Sequence, residues 1–412
     1  MDSSKTTFKE LGLSAQLLQA IEEVGYRYPT PIQAQSIPYI LRGEDVVGSA
    51  QTGTGKTAAF ALPILDRVHA GGGHQCLILE PTRELAAQVE ENFLQYGKEK
   101  GVRCVLLHGG VGYGTQLEKL KAGAEIIIAT PGRLLDHISR RTLSLKGIRI
   151  LVLDEVDRML DMGFLPDVRK IIGYCNKERQ TLLFSATIPK EIASFVGWVL
   201  KNPQRVEVGQ RRSPAETVNH GLFPVDSRQK FDLLQRLLQK REAEGSTIIF
   251  CRTKVGADMV ARWLEASSHK VGVLHADRNQ KERQATLAQF KSGVLTVLVA
   301  TDIVARGIDI AGVSLVINYD VPQHPEDYVH RIGRTGRAET TGDAFTLYSA
   351  EEKDHVLAIE RFIDQKLPRI KLEDFEYRFS PVLSEVEPPK VKKRNRGGSS
   401  TGALSMMTKR RR

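Results

Sequence analysis

At 412 residues the chain is long for one domain and comfortable for two, and 41% hydrophobic with 26% charged residues is ordinary for a soluble globular protein. No apolar run is long enough to span a bilayer, Met1-Asp2-Ser3-Ser4-Lys5 leads into no signal-peptide core, and Cys76, Cys104, Cys175 and Cys251 form no C-x-x-C pair, which argues for reduced thiols in the cytoplasm and against a zinc site. The net charge of +10 is uneven: nine Lys or Arg and no acid fall in 388–412, so the folded part is nearly neutral and the tail is expected to meet a polyanion such as RNA or DNA.

In chain order, Phe8 to Gly25 carries Leu13, Leu17, Leu18 and Ile21 at helical spacing and predicts one short amphipathic helix. Gly25-Tyr26-Arg27-Tyr28-Pro29-Thr30-Pro31-Ile32-Gln33 is a proline-set turn into a second helix. The Gln33 amide offers a donor and an acceptor that suit an adenine edge, and the same residue suits an ordinary helix start. A strand at Asp45-Val46-Val47 then leads into Ala50-Gln51-Thr52-Gly53-Thr54-Gly55-Lys56-Thr57, which opens a helix running to Val68. Strand, glycine loop, Gly-Lys-Thr and helix in that order are the context of a phosphate-binding loop, although Ala50 stands where the general pattern has Gly. Lys56 is expected to reach the β- and γ-phosphates and the Thr57 hydroxyl to hold Mg²⁺.

Beyond the loop, apolar runs at Gln75–Glu80, Arg103–His108, Glu125–Ala129, Ile148–Leu153 and Thr181–Ser185 alternate with helical patterns. The expectation is an α/β fold with a parallel sheet covered on both faces, ending near residue 209. A polar linker is expected at 210–220 and a second α/β domain over 221–380. Its strand candidates are Thr247–Cys251, Val271–His275, Leu295–Thr301, Leu315–Tyr319 and Ala344–Tyr348, with no second Gly-Lys-Thr. Residues 381–412 are expected to be a basic disordered tail.

Two stretches carry further chemistry. The strand Ile150–Leu153 ends in Asp154-Glu155-Val156-Asp157, where Asp154 suits Mg²⁺ and Glu155 suits orienting or deprotonating an attacking water. In the second domain, His330-Arg331-Ile332-Gly333-Arg334-Thr335-Gly336-Arg337 can aim Arg334 and Arg337 at one anion. Guanidinium is always charged and forks onto phosphate oxygens, so catalysis would depend on the domains closing.

Taken together these blocks, from Phe8 to about Tyr348, resemble the DEAD-box ATP-dependent RNA helicases, of the short bacterial type. The resemblance includes Phe8 with the stretch ending at Gln33 (a Q motif within 6–34), P-T-R-E-L-A from Pro81, Gly109-Gly110, T-P-G-R from Thr130, and Ser185-Ala186-Thr187. It continues through Ile249–Thr253, Gln280 with Arg283, A-T-D-I-V-A-R-G-I-D ending at Asp309, and H-R-I-G-R-T-G-R. It implies two tandem RecA-like domains, ATP with Mg²⁺ as cofactors, and RNA as partner. Phe8 and Gln33 would contact the adenine and Asp309 the ribose. Pro81, Thr82, Arg83, Gly110, Thr130 and Arg133 would grip the RNA backbone from one side, and Arg252, Thr253, Gln280 and Thr301 from the other. Asp157, Ser185, Thr187 and His330 would couple hydrolysis to closure. Val156 departs from the alanine of the family's name. A cytoplasmic, monomeric motor that separates short duplexes is expected, with protein partners in ribonucleoprotein assembly or RNA decay.

Overall fold

The computed structural model describes residues 6–50, 53–208, 218–240, 245–302, 310, 313–336 and 341–379. Gln51, Thr52, Asp309, Arg337, most of the expected linker and the expected tail lie outside them.

The expected single helix at the start is broken. A 3-10 turn at Phe8–Leu11 ends at Gly12, whose φ of 87° stops it, and α1 (Ala15–Glu23) starts after Ser14, whose amide donates to Asp66 at 2.8 Å. In the first half follow α2 (Pro31–Leu41), β1 (Val46–Ser49), α3 (Lys56–Arg67), β2 (Cys76–Leu79), α4 (Arg83–Tyr96), β3 (Cys104–Leu107), α5 (Gly114–Lys121), β4 (Ile126–Ala129), α6 (Pro131–Ser139), β5 (Ile150–Leu153), α7 (Val156–Asp161), α8 (Leu165–Tyr174), β6 (Gln180–Ser185), α9 (Lys190–Val199) and β7 (Gln204–Glu207). Their seven strands form one parallel sheet in the order β3-β4-β2-β5-β6-β1-β7. Strand side chains alternate between two cores: Ile150 and Val152 enter one and Leu151 and Leu153 the other. Both faces are therefore covered, which explains why the strands are apolar without interruption.

The second half contains β8 (Val218–Pro224), α10 (Lys230–Gln239), β9 (Thr247–Phe250), α11 (Lys254–Ala266), β10 (Val271–Leu274), α12 (Gln280–Lys291), β11 (Val297–Ala300), β12 (Leu315–Asn318), α13 (Pro325–Ile332), β13 (Gly342–Tyr348) and α14 (Lys353–Ile363). Its sheet is also parallel, in the order β10-β11-β9-β12-β13-β8. The doubly wound α/β expectation thus holds twice. β7 and β8 had no sequence signal of their own. β7 is a polar edge strand in which Val206 alone is buried, and β8 contains a glycine and a proline. β8 starts at Val218, inside the stretch expected as linker. The chain after α14 then returns to β8, where the Ile370 amide donates to the Leu222 carbonyl at 2.7 Å.

One loop end is fixed by a buried carboxylate that pairs with a half-exposed arginine. Glu125, fully buried beside β4, accepts from the Arg103 and Gly71 amides at 2.8 Å each and pairs with the Arg103 guanidinium at 2.8 Å. Burial alone would raise its carboxyl, but the Arg103 contacts and the Gly71 amide outweigh it and hold the group at about 2. A depressed carboxyl stabilises the fold above its unfolded value near 4.5 and loses that contribution as pH falls towards 2. Glu125→Gln is therefore expected to cost roughly 1–3 kcal/mol at neutral pH. In thermal melts the gap to the native protein should close as pH falls from 4.5 towards 2; a gap that does not change with pH would refute the assignment.

Candidate functional site

In a parallel sheet every strand ends on the same edge, and there the loops and helix starts converge. The order of the first sheet divides that edge in two. The ends of β1, β6 and β5 carry the glycine loop, Ser185–Thr187 and Asp154–Asp157. The ends of β2, β4 and β3 carry Pro81–Arg83, Thr130–Arg133 and Gly109-Gly110. A phosphate-binding half and a second half thus lie side by side, meeting between β5 and β2.

In the first half, Gly53 and Gly55 take φ of 83° and 88°, and Gly55 caps α3. Ala50 is buried against β6, its amide donating to the Ser185 carbonyl. Thr54 and Thr57 are half-buried at the mouth of the loop. Lys56 is buried, and its ammonium lies 2.7 Å from Glu155 Oε1, so it rests on the expected base. Glu155 itself stands at φ 50°, a strained left-handed position for a non-glycine residue, immediately before α7. Burial would raise its carboxyl, but Lys56 outweighs burial and holds it down. Its neighbour Asp154 is pushed up, chiefly by burial, with Lys56 opposing.

Asp157 holds the strand ends together. Its Oδ2 accepts from the Ala186 amide at 3.1 Å, the Thr187 amide at 2.8 Å and the Thr187 hydroxyl at 3.2 Å. Its own amide donates to Ser185 Oγ, which donates in turn to the Thr187 carbonyl. Val156 is fully buried in the core on one face of the sheet, so its side chain is taken up by packing.

Gln33 is buried with both ends of its amide engaged: Oε1 accepts from the Thr30 amide at 2.9 Å and Nε2 donates to the Gly55 carbonyl at 3.1 Å. The helix-start reading and a link to the phosphate loop are thus both present. Phe8 is buried under the ring of Tyr26, 6.4 Å away and nearly parallel. Tyr26 is the exposed face of that pair, and its sequence position alone gave no sign of this.

In the second half of the edge, Thr82, Thr130 and Thr253 each stand immediately before a helix, α4, α6 and α11. The Thr82 and Thr253 hydroxyls each accept from one first-turn amide, and the remaining helix-start amides and positive dipole ends face the edge. Pro81 and Thr82 are buried, and Arg83 packs against Gly110 so closely that a Cβ there would collide with its guanidinium. Arg133 lies over the Tyr113 ring at 4.2 Å and donates to the Val111 carbonyl at 2.9 Å. In the second domain, Arg252 and Thr253 are exposed at the end of β9, and Thr301 is buried at the end of β11. Gln280, expected on the RNA side of the second domain, donates its Nε2 to Glu84 Oε1 at 3.1 Å while its own oxygen has no hydrogen-bond partner among the described residues, and Arg283 pairs with the same Glu84 oxygen at 2.7 Å. Glu84 is one residue beyond Arg83 on α4, so these contacts join the two domains.

A second junction is a cavity of about 400 Å³ lined by Glu155, Asp157 and Thr187 from the first domain and by His330 and Arg334 from the second. The remaining arginine of that segment, Arg331, is structural: it is fully buried and pairs with Asp302 at 2.6 Å. Sequence reasoning also passed over Glu80, at the end of β2. Neither of its oxygens has a hydrogen-bond partner among the described residues, and burial, then Asp154 and Glu155, push its carboxyl up. No group of three or more His, Cys, Asp or Glu among the described residues could hold a metal alone.

Comparison with known proteins agrees with this geometry. Residues 30–195 match the DEAD/DEAH box helicase model and 229–339 the helicase conserved C-terminal domain model. The chain is 44% identical over 366 residues to the DEAD-box ATP-dependent RNA helicase CshA of Bacillus subtilis, covering 89% of this chain and 74% of that protein. It superposes on S. cerevisiae Dbp5 bound to RNA and ADP BeF3 with a TM-score of 0.81, at 33% identity and covering 88% and 95% of the two chains. A DEAD box protein of Methanococcus jannaschii is more identical, at 38% over 89% and 99% of the chains, yet superposes at 0.52. With both family models matched in order around one shared cleft, the chain belongs to the DEAD-box ATP-dependent RNA helicases.

Proposed function

We propose that this helicase binds ATP and RNA together across the cleft between its two domains, bends one RNA strand so that a short duplex parts, and uses hydrolysis to reopen. The observation that carries this reading is the cavity that Glu155 shares with His330 and Arg334, because one reaction centre then needs both domains in place. The better superposition on an RNA- and nucleotide-bound relative than on a more identical one supports the same arrangement.

In this reading Lys56 leaves Glu155 for the β- and γ-phosphates, and the loop amides and the start of α3 cradle the same anions. The residues present fit a magnesium ion: a threonine hydroxyl at Thr57, the Asp154 carboxyl, and a nearby acid, Glu80, with unsatisfied oxygens. Mg²⁺ supplies charge neutralisation on the phosphates when bound. Glu155 orients and deprotonates the water, while Arg334 and Arg337 stabilise the charge that develops on the γ-phosphate. Gln33 reads adenine and Asp309 the ribose. RNA runs along the helix starts at Thr82, Thr130 and Thr253, held by Pro81, Arg83, Gly110, Arg133, Arg252 and Thr301 through sugar and phosphate, which leaves sequence unread. Asp157, Ser185, Thr187 and His330 transmit phosphate loss to the cleft. The first domain spans 1–209, and the second, expected from 221, takes in all of β8 and so begins no later than Val218 and runs to about 380. The protein acts as a cytoplasmic monomer, consistent with four free buried cysteines, and protein partners in ribonucleoprotein assembly or RNA decay would act on this unit.

Steady-state ATPase assays without nucleic acid, with single-stranded RNA and with matched DNA test the proposal. Strong stimulation by RNA alone is expected, and equal stimulation by DNA would replace it with a general nucleic-acid motor. Deleting 388–412 should spare that stimulation and flatten the dependence of RNA affinity on salt, since fewer counterions are released. Glu84→Ala removes two charge-assisted bonds between the domains, roughly 1.5–3 kcal/mol each at most. The half-saturating RNA concentration should rise about tenfold or more with basal ATPase unchanged; an unchanged value would show that the Glu84 contacts do not favour closure.

A further inference from the structure

We infer that Glu80 is a positioning residue for the divalent cation, a third acid that accepts hydrogen bonds from the ion's bound waters behind Asp154. The inference rests on the nucleotide site described above and extends it to a residue outside the phosphate loop and the Asp154–Asp157 turn. Strands β2 and β5 are neighbours, with Leu79 opposite Leu153 in the register. The next residue of each strand is Glu80 and Asp154, so two carboxyl groups leave adjacent strand ends at the line where the phosphate half of the edge meets the other half. The backbone there is fully engaged: the Glu80 amide donates to the Ala129 carbonyl at 2.9 Å and the Asp154 amide to the Leu79 carbonyl at 3.2 Å.

The Glu80 side chain is 0% exposed, and both of its oxygens lack any hydrogen-bond partner among the described residues. Buried polar groups are almost always satisfied, so a fully buried acid with two idle oxygens needs a reason. Lys56 does not supply it, because its ammonium is on Glu155. A partner that does is a hydrated dication. Mg²⁺ sheds its water reluctantly and is held through one or two carboxylates and phosphates, so it brings several water O–H donors into the pocket. An acid one strand over from Asp154 can receive such donors without touching the ion. Acids and imidazoles placed this way orient and strengthen the inner ligands, and their loss typically costs 10–100-fold in metal affinity.

The test uses the full-length protein with ADP and Mn²⁺, whose bound fraction is read by electron paramagnetic resonance. Glu80→Gln keeps the shape and removes the acid; Glu80→Asp keeps the acid. For Glu80→Gln, Mn²⁺ affinity in the presence of ADP should fall about tenfold or more. ADP affinity measured in EDTA and the melting temperature without metal should not fall. Glu80→Asp should recover part of the loss. Unchanged Mn²⁺ affinity in Glu80→Gln, beside normal ADP-dependent Mn²⁺ binding by the native protein, overturns the inference and leaves a buried neutral acid. Equal losses of metal-free ADP affinity and of Mn²⁺ affinity also overturn it, since the defect would then lie in the pocket as a whole. If the native protein binds no Mn²⁺ with ADP, the reading of the nucleotide site falls along with the inference.

Discussion

Glu155→Gln is expected to leave ATP and RNA binding intact and to slow hydrolysis by about 10²–10⁴-fold, the usual contribution of a positioned general base. In the structure the carboxylate is clamped by Lys56 at 2.7 Å and held well below the ordinary range, which makes it a poor base as it stands. Transfer of Lys56 to the phosphates removes the larger part of that clamp, and burial then favours proton uptake, with His330 and Arg158 opposing it. Nucleotide binding therefore arms the base. Glutamine fills the same space and can still accept a bond from Lys56, so the strained turn at φ 50° is kept while proton acceptance is lost. Because hydrolysis resets the cleft, the complex of this variant with ATP and RNA should be long-lived. Single-turnover hydrolysis and RNA dissociation, measured together, decide the matter. Hydrolysis at the native rate would mean that another group takes the proton.

Lys56→Ala should be more damaging still, because the ammonium serves the fold and the ligand. Lys56 is the basic partner of a buried acid group comprising Glu155, Asp154 and Asp157, with Glu80 nearby. Breaking a buried ion pair from one side commonly costs about 3–5 kcal/mol, since the other charge stays behind. Here the abandoned carboxyl groups can take up protons instead. With Lys56 gone, the carboxyl of Glu155 rises, and stability lost at neutral pH should be partly restored as pH is lowered towards 5. ATP affinity should drop at least 100-fold at every pH. The combined variant Lys56→Ala with Glu155→Gln should melt higher than Lys56→Ala alone while still failing to bind ATP. If the double substitution is no more stable than the single one, the pair is not what links this loop to β5.

Much of this was legible beforehand because the signals were local. Strand, glycine loop and helix follow each other without interruption from Val46 to Arg67, and the acidic turn directly follows its apolar strand. Buried parallel strands also announce themselves by continuous apolar runs. What the sequence withheld depends on register and on distance along the chain. Glu80 and Asp154 are neighbours because β2 lies beside β5, a pairing no spacing encodes. Glu84 meets Gln280 across 196 residues, and only the docked domains reveal that the amide is engaged by protein. The edge strands β7 and β8 escaped because an edge needs no unbroken apolar pattern.

The short tether from Gln33 to the glycine loop bears on nucleotide choice. The Thr30 amide can only donate and the Gly55 carbonyl can only accept, so together they fix which end of the Gln33 amide is oxygen and which is nitrogen. One N–H and one lone pair remain for a base, in a fixed sense. Turning the amide over to suit a purine with the opposite pattern would set nitrogen against an N–H and oxygen against a carbonyl. In the proposed adenine contact, discrimination between adenine and guanine would be set by these two main-chain groups, and altering it would require rebuilding the start of α2 and the glycine loop rather than exchanging one side chain.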